Sequence, residues 1–278
     1  MEFTKMHGLG NDFLIFEDDG TVTDWNALAE KLCCRRLSVG ADGILVVLPS
    51  LYADIRMRII NADGSEAEMC GNGLRCVAKF AYDHRLVSAR EITVETGGGV
   101  KTVQLEVNDR GRVERVRVNM GRPLLTRGEI PMTGDPAARV VGEALKIGDR
   151  TFEVTCVSMG NPHCVIFVED VAQFPVATYG PLIERHPWFP RRTNVEFVEV
   201  LAADRLRQRT WERGAGETLA CGTGASAVTV AGVLTGRTGR QVQIHLRGGD
   251  LELDWSAGGD LFMTGPAVQI CEGEYDPQ

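Results

Sequence analysis

Apolar residues along this chain come in short blocks, and the blocks recur in the same order. Runs at 13–17, 43–48 and 54–60 have the length and period of β-strands, as do those at 164–168, 194–200 and 205–212. Asp24 opens a helical pattern with Trp25, Leu28, Ala29, Leu32 and Cys33 on one face. Its counterpart at about 176–186 is less regular, and Pro181 predicts a break there. Two further helices are predicted. In the first, Leu74, Val77, Ala78, Ala81 and Tyr82 share a face, whereas the second, at 225–235, is apolar nearly all round and reads as a core helix wrapped by sheet. A hairpin signal follows each: 91–96, Gly97-Gly-Gly99 and 100–107, then 241–246, Gly248-Gly249 and 250–255.

The order repeats because the chain is an internal duplication. Cys70-Gly-Asn-Gly73 recurs as Cys221-Gly-Thr-Gly224, a shift of 151 residues from position 70 to position 221. The same shift carries Glu2 to Glu153, Thr4 to Thr155, Glu66 to Glu217 and Val77 to Val228. Gly10-Asn11 recurs as Gly160-Asn161, one residue short, as a single deletion would leave it. Two related α/β halves are therefore expected, 1–118 and 152–269, joined by a connection bearing Gly121, Pro123, Gly128, Pro131, Gly134 and Pro136. A pseudo-symmetric pair of halves is expected to place equivalent residues opposite each other across a cleft.

Composition narrows the function. With 278 residues, 44% of them hydrophobic and 24% charged, there is material for two cores. The net charge of −8 argues against nucleic acid or an anionic membrane as partner. The longest nearly apolar run, Ala225 to Leu234, is about half of the ~18 residues a membrane-spanning helix needs. Residues 1–7 have no apolar core of the kind a secretory leader carries, so a cytoplasmic protein is expected. Eight cysteines form no C-x-x-C pair, and a disulfide scaffold is not expected in such a chain. Most should be buried small hydrophobes.

The repeated cysteines stand apart from that reading. Each sits at a turn directly before a helix, where small residues let a ligand approach the backbone and leave the first helical N–H groups free. A helix start of this kind favours anions and lowers a thiol pKa from its usual value of about 8.5. Two thiols facing a carbon from opposite sides suit one chemistry: proton removal from one face and delivery to the other, inverting the centre. The pair then works as one thiol and one thiolate that exchange roles in the reverse direction. Helix-start N–H groups on the substrate carboxylate would replace the pyridoxal electron sink, for which no convincing motif is present.

Blander readings apply to each element. A lone cysteine before a helix is ordinarily a packing residue, and only its duplication argues otherwise. Gly222-Thr-Gly224-Ala-Ser-Ala227 fits a dinucleotide fingerprint, but the run before it, 214–220, is not a buried strand and no parallel βαβ unit follows. Cys70 and Cys76 lack the nearby His pair that a metal site would add, so no metal is expected.

Six segments extend the pattern: Met6-His-Gly-Leu-Gly-Asn-Asp-Phe13, Asn61-Ala-Asp-Gly-Ser-Glu66, Cys70-Gly-Asn-Gly73, Ser158-Met-Gly-Asn-Pro-His163, Glu212-Arg-Gly-Ala-Gly-Glu-Thr218 and Ala220-Cys-Gly-Thr-Gly224. In order and content they resemble the signatures of the diaminopimelate epimerase family, over nearly the whole chain. The resemblance implies an α/β (α+β) fold of two pseudo-symmetric domains, each a curved, mostly antiparallel sheet wrapped around a central helix. It divides the chain into 1–118 plus 265–278 and 119–264, with the active site in the cleft between them. It implies a cytoplasmic homodimer that interconverts L,L- and meso-diaminopimelate without a cofactor, in lysine and peptidoglycan precursor synthesis.

Residue by residue, the resemblance makes Cys70 and Cys221 the acid/base pair and assigns His163 and Glu212 to tuning them. It assigns the substrate to Asn11, Asn61, Gly71, Asn72, Asn161, Asn194, Glu212, Arg213, Gly222 and Thr223. These suit a ligand with two zwitterionic ends: backbone N–H groups for one carboxylate, amides, Arg and Glu for the distal groups. Glu66, Glu217 and Arg75 are read as structural, at a helix start or on a solvated face. The chain departs at Asp42-Gly43, where some members supply a Gln to the substrate, and at Cys271, where some have an aromatic dimer contact. Two rivals remain: a sister racemase with altered distal contacts, and a thiol redox sensor without turnover.

Overall fold

The computed structural model describes residues 1–276 and divides the chain into two compact units, Met1–Val118 with the segment from Thr264, and Asn119–Met263. The first unit opens with β1 (Glu2–Gly8), β2 (Asn11–Glu17), α1 (Trp25–Leu32), β3 (Gly43–Leu48), β4 (Ile55–Asn61) and β5 (Glu66–Ala67). It continues with α2 (Gly71–Asp83), β6 (Glu91–Thr96), β7 (Gly99–Val107) and β8 (Val113–Gly121). The second unit holds β9 (Glu143–Ile147), β10 (Arg150–Ser158), β11 (Pro162–Phe167), α3 (Val176–Glu184), β12 (Asn194–Ala202) and β13 (Arg205–Glu212). Then come β14 (Gly216–Thr218), α4 (Gly222–Leu234), β15 (Gln241–Leu246), β16 (Gly249–Trp255) and β17 (Leu261–Pro266). The last strand, β18 (Val268–Glu274), pairs antiparallel with β1 in the first unit.

The two sheets have the same order. In the first unit β18, β1, β2, β3, β4, β6, β7 and β8 are neighbours in that sequence, parallel only at β2–β3 and β4–β6. In the second, β9, β10, β11, β12, β13, β15 and β16 follow suit, parallel at β11–β12 and β13–β15. This is the mixed α/β architecture that the periodicity predicts.

Each sheet wraps a central helix. α2 packs on β1, β2, β3, β4, β6 and β7, and α4 on β10, β11, β12, β15 and β16. Strands can close round α4 because, before its last residue Leu234, it is built of Gly, Ala, Ser, Thr and Val. A side chain at Gly232 would bring its Cβ within 2.3 Å of the Thr238 hydroxyl. Two hydroxyls inside the wrap donate back along the helix, Ser226 to the Gly222 carbonyl at 2.9 Å and Thr229 to that of Ala225 at 3.0 Å, so neither is stranded. A second layer covers the other face of each sheet. Asp24 caps α1 as expected, accepting from the N–H groups of Asn26 and Ala27, and Trp25, Ala29 and Leu32 pack on Leu14, Phe16, Ile44 and Ile60. In the second unit Ile183 of α3 joins Phe174, Phe189, Val195 and Phe197.

Two local expectations change. α2 has no solvated face: Gly71 to Ala81 are all buried, and Arg75, expected on such a face, is fully enclosed. Its guanidinium donates to the Gly71 and Pro266 carbonyls and to Asn72 Oδ1, which removes most of the cost of burial. Pro181 does not break α3; the helix runs through it to Glu184. Five of the cysteines are buried, as expected of most of them, with Cys34 and Cys271 exposed and Cys70 between. Among the described residues no helix is long and apolar enough to cross a membrane, and no three His, Cys, Asp or Glu side chains group as a metal ion would require.

The contact between α3 and β13 leaves no spare volume. A Cβ at Gly180 would lie 2.5 Å from Cγ of Trp211, whose indole N–H is tied to Glu184 at 2.8 Å. Gly180→Ala should destabilise the chain by roughly 1–3 kcal/mol, the usual cost of overpacking. A lower denaturant midpoint at unchanged slope would register it, and an unaltered midpoint would refute the tight packing.

Candidate active site

The central helix of each unit is wrapped by strands, so its start carries the exposed chemistry. Cys70 and Cys221 are the N-caps of α2 and α4, both in extended backbone (φ −143°, ψ 117° and φ −129°, ψ 110°). Gly73 and Gly224, three residues on, are required by close neighbours. A Cβ would meet Leu45 Cδ2 at 3.1 Å in the first unit and Glu196 Oε1 at 2.6 Å in the second.

Around Cys70 the partners are neutral amides. Its Sγ lies 3.6 Å from Asn11 Oδ1 and accepts from the Gly73 N–H at 3.5 Å. Asn11 is oriented by Asp42, which takes its Nδ2 at 3.0 Å and is itself held by Arg35 at 2.7 Å. Asn72 donates to the same Asn11 oxygen at 3.4 Å and accepts from Arg75 at 2.9 Å. Cys70, Asn11 and Asn72 are thus brought together, with Gly71 as the buried first residue of α2. Asn61 stands further along, opposite Gly43 in the β3–β4 ladder, and donates to Ser65 Oγ at 2.9 Å. Gly43 contributes backbone alone: a Cβ there would come within 2.6 Å of the Ile60 carbonyl.

Around Cys221 the same backbone holds charge. Period-two alternation puts His163 of β11, Glu196 of β12 and Gln208, Thr210 and Glu212 of β13 on the sheet face that α4 covers. Thr223 Oγ1 is 3.4 Å from Cys221 Sγ and accepts from Asn161 Nδ2 at 3.2 Å. Asn161 Oδ1 is 3.0 Å from His163 Nε2, whose Nδ1 lies 2.7 Å from Glu196. Glu212 accepts from the Thr218 hydroxyl at 2.6 Å. Asn194 and Arg213 form a separate pair, the Asn194 carbonyl oxygen accepting the Arg213 N–H at 2.9 Å while its amide donates to Pro162 O. The Arg213 guanidinium is exposed and reaches the Arg191 carbonyl. Gly222 packs with no room to spare, its would-be Cβ 3.0 Å from Met263 Sδ.

The electrostatics correct one expectation. A helix start by itself favours a thiolate, yet Cys221 is pushed well above the ordinary thiol range, first by burial and then by the charges of Glu212 and Glu196. Burial also raises the Glu212 carboxyl, with the Thr218 hydroxyl opposing. Elsewhere burial pushes Cys76 up to about 12 and Cys33 to about 11, so these thiols stay protonated and inert.

Sequence reasoning missed Glu196, Asp42, Thr218 and the orienting role of Arg75. The one available signal was repeat arithmetic: a shift of 151 places Glu196 on Leu45, a buried hydrophobe, and so flags a carboxylate at a core position. Glu66 and Glu217 are structural as read, paired with Arg58 and Arg209.

The chain resembles known proteins along nearly its whole length. The sequence profile of the family described as "Diaminopimelate epimerase" matches residues 3–126 and 155–270. Curated proteins of that name are 56% identical in Pelotomaculum thermopropionicum and 52% identical in Moorella thermoacetica, each over 278 residues, 99% of both chains. A third, from Desulforudis audaxviator, is 55% identical over 278 residues, again 99% of each chain. Among solved structures, a phenazine biosynthesis protein of the PhzF family from Bacillus anthracis superposes with TM-score 0.72 at 18% identity, covering 100% of this chain and 99% of its own. A probable proline racemase from Agrobacterium radiobacter does so with TM-score 0.72 at 16% identity, covering 100% and 93%. At those identities the likeness is one of fold.

Since Glu212 opposes ionisation of Cys221, removing its charge should ease it. In Glu212→Gln, iodoacetamide should alkylate Cys221 faster than in the parent between about pH 7 and 9, by up to about tenfold for one pK unit. Peptide-resolved mass spectrometry would read the rate, and slower alkylation would count against the assigned charge effect.

Proposed function

The chain belongs to the diaminopimelate epimerase family, and from that premise we propose that it interconverts L,L- and meso-diaminopimelate by passing an α-proton between the thiols of Cys70 and Cys221, with no cofactor. The observation that carries the reading is the duplicated one: each unit caps its wrapped helix with a cysteine and sets an asparagine, Asn11 or Asn161, into the hydrogen bonding beside it.

In one direction Cys70 acts as thiolate. The substrate's Cα–H bond breaks, an S–H bond forms on Cys70, and the electron pair stays on the α-carbon and its carboxylate. The Cys221 S–H bond then breaks and a Cα–H bond forms on the opposite face, leaving the centre inverted and the thiolate on Cys221. The reverse reaction exchanges the two roles. Charge that builds on the reacting carboxylate is met by the first N–H groups of α2 and α4, at Gly71, Asn72, Gly222 and Thr223, where a single well-placed donor is worth roughly 10²–10³ in rate. In the reverse direction Glu212, raised by burial, accepts the proton whose loss makes Cys221 the thiolate, and His163 acts on that thiol through Asn161 and Thr223. Asn61, Asn194 and Arg213, with Glu212, hold the distal zwitterion.

The reading places the enzyme in the cytoplasm, since both thiols have to stay reduced, and in the supply of lysine and peptidoglycan precursors. It makes the protein a homodimer through β18, whose Val268 and Ile270 are exposed.

Incubating L,L-diaminopimelate with reduced enzyme in D₂O should erase the α-proton NMR signal as the meso isomer grows. Cys70→Ala and Cys221→Ala should each lower turnover at least about 10³-fold while the chain stays folded. Full activity in either variant would sink the two-thiol mechanism. Arg213→Ala should raise KM more than it lowers kcat, and a change confined to kcat would remove Arg213 from substrate binding.

A further inference from the structure

Glu196 has no part in the scheme above, yet it is the most enclosed carboxylate beside Cys221. It is fully buried on β12, and its Oε2 accepts from Gln208 Nε2 at 2.9 Å and from the Thr210 hydroxyl at 2.6 Å. Its Oε1 faces His163 Nδ1 at 2.7 Å, and the imidazole is also fully buried. A carboxylate with two donors already on one oxygen is acting as an acceptor, so Nδ1 is the partner that carries the proton.

The second ring nitrogen is constrained from the other side. Asn161 turns its Nδ2 towards Thr223 at 3.2 Å and its Oδ1 towards His163 Nε2 at 3.0 Å, so Nε2 also faces an acceptor. Both ring nitrogens then donate, which makes His163 an imidazolium neutralised by Glu196. Followed outward, every bond in the chain donates towards the active cysteine: Nε2–H to Asn161, Nδ2–H to Thr223, and the Thr223 hydroxyl hydrogen to Cys221 Sγ at 3.4 Å. A sulfur that receives a hydroxyl donor is stabilised as thiolate.

We propose that Glu196 is a positioning residue for the epimerisation: it holds His163 doubly protonated, so that the chain through Asn161 and Thr223 ends in a donor on the Cys221 sulfur when that sulfur becomes a thiolate. This rests on the function proposed above for Cys221. No proton crosses the amide; the chain sets the direction of the hydrogen bonds. The first unit has no equivalent, because the counterpart of Glu196 is Leu45 and that of His163 is Phe13, so the device serves the Cys221 side alone.

Two opposed effects make the role testable. The titratable groups acting on Cys221 are Glu212 of β13 and Glu196 of β12, while His163 of β11 acts on Glu212 and reaches the thiol only through Asn161 and Thr223. Were Glu196 only a nearby negative charge, Glu196→Gln would make Cys221 ionise more readily and alkylate faster. Were it only packing, this isosteric change would leave alkylation unmoved. Acting through His163, Glu196→Gln should slow Cys221 alkylation by roughly tenfold, the change that one pK unit in the thiol produces, and lower kcat more than it changes KM. Faster or unchanged alkylation overturns the proposal.

A measurement on the unmutated protein stands apart from folding of the variant. Nitrogen-15 NMR of the histidine-labelled chain at pH 7 should show both ring nitrogens of His163 protonated, and a bare nitrogen at either position overturns it as well. Neither readout needs substrate. If the parent enzyme fails to epimerise diaminopimelate, the functional reading falls, while the alkylation and NMR results still judge the Glu196–His163 pair.

Discussion

Enclosing a helix in a single sheet removes its sides from any role except packing, and most of this protein's organisation follows from that enclosure. α4 shows this most plainly: before its last residue, Leu234, it is written in Gly, Ala, Ser, Thr and Val, and the enclosed hydroxyls of Ser226 and Thr229 are spent on its own backbone. What remains open to chemistry is the end, where the first N–H groups have no helical partners. The function proposed above accordingly draws on the N-cap and on the strand ends that surround it. Arg75 shows the cost of violating the rule: a guanidinium inside the wrap is tolerated by taking backbone carbonyls and Asn72 as partners, and it thereby becomes part of the site's scaffold.

The duplication keeps backbone geometry and lets electrostatics diverge. Gly73 leans on Leu45 where Gly224 leans on Glu196. Asn72 stands where the second unit has Thr223, and Asn61 where it has Glu212. The side chains beside Cys70 include the amides of Asn11 and Asn72, whereas Cys221 meets Thr223 and the carboxylates of Glu212 and Glu196. Two cysteines with the same φ and ψ consequently meet different environments, and the reversal of the helix-start expectation at Cys221 is a direct result.

Much of this was legible from residues alone. Strands, hairpins and the α/β class follow from period-two blocks separated by Gly-rich turns, and the duplication follows from the shift that relates the two C-G-x-G turns. What misled was the meaning of polarity. In Asn194-Val-Glu-Phe-Val198 the polar positions alternate as they would on a strand with one wet face, but that face lies under α4, so Glu196 is a core residue. Arg75 and Lys79 gave α2 the look of a half-exposed helix for the same reason. Pro181 was read as a breaker because the packing of α3 on β13 is a tertiary matter. Burial on the second side of a strand or helix depends on which element arrives there, and local pattern carries no record of it.

The pairing of β18 with β1 ties residue 2 to residue 274. During synthesis the second unit has all the strands of its sheet before β18 is made, whereas the first unit waits for that strand although it began first. Its sheet gains that outer strand by closing the loop from residue 2 to residue 274, a step whose entropic cost grows only slowly with length but whose timing is set by translation. The order in which the halves mature is thus the reverse of the order in which they are made.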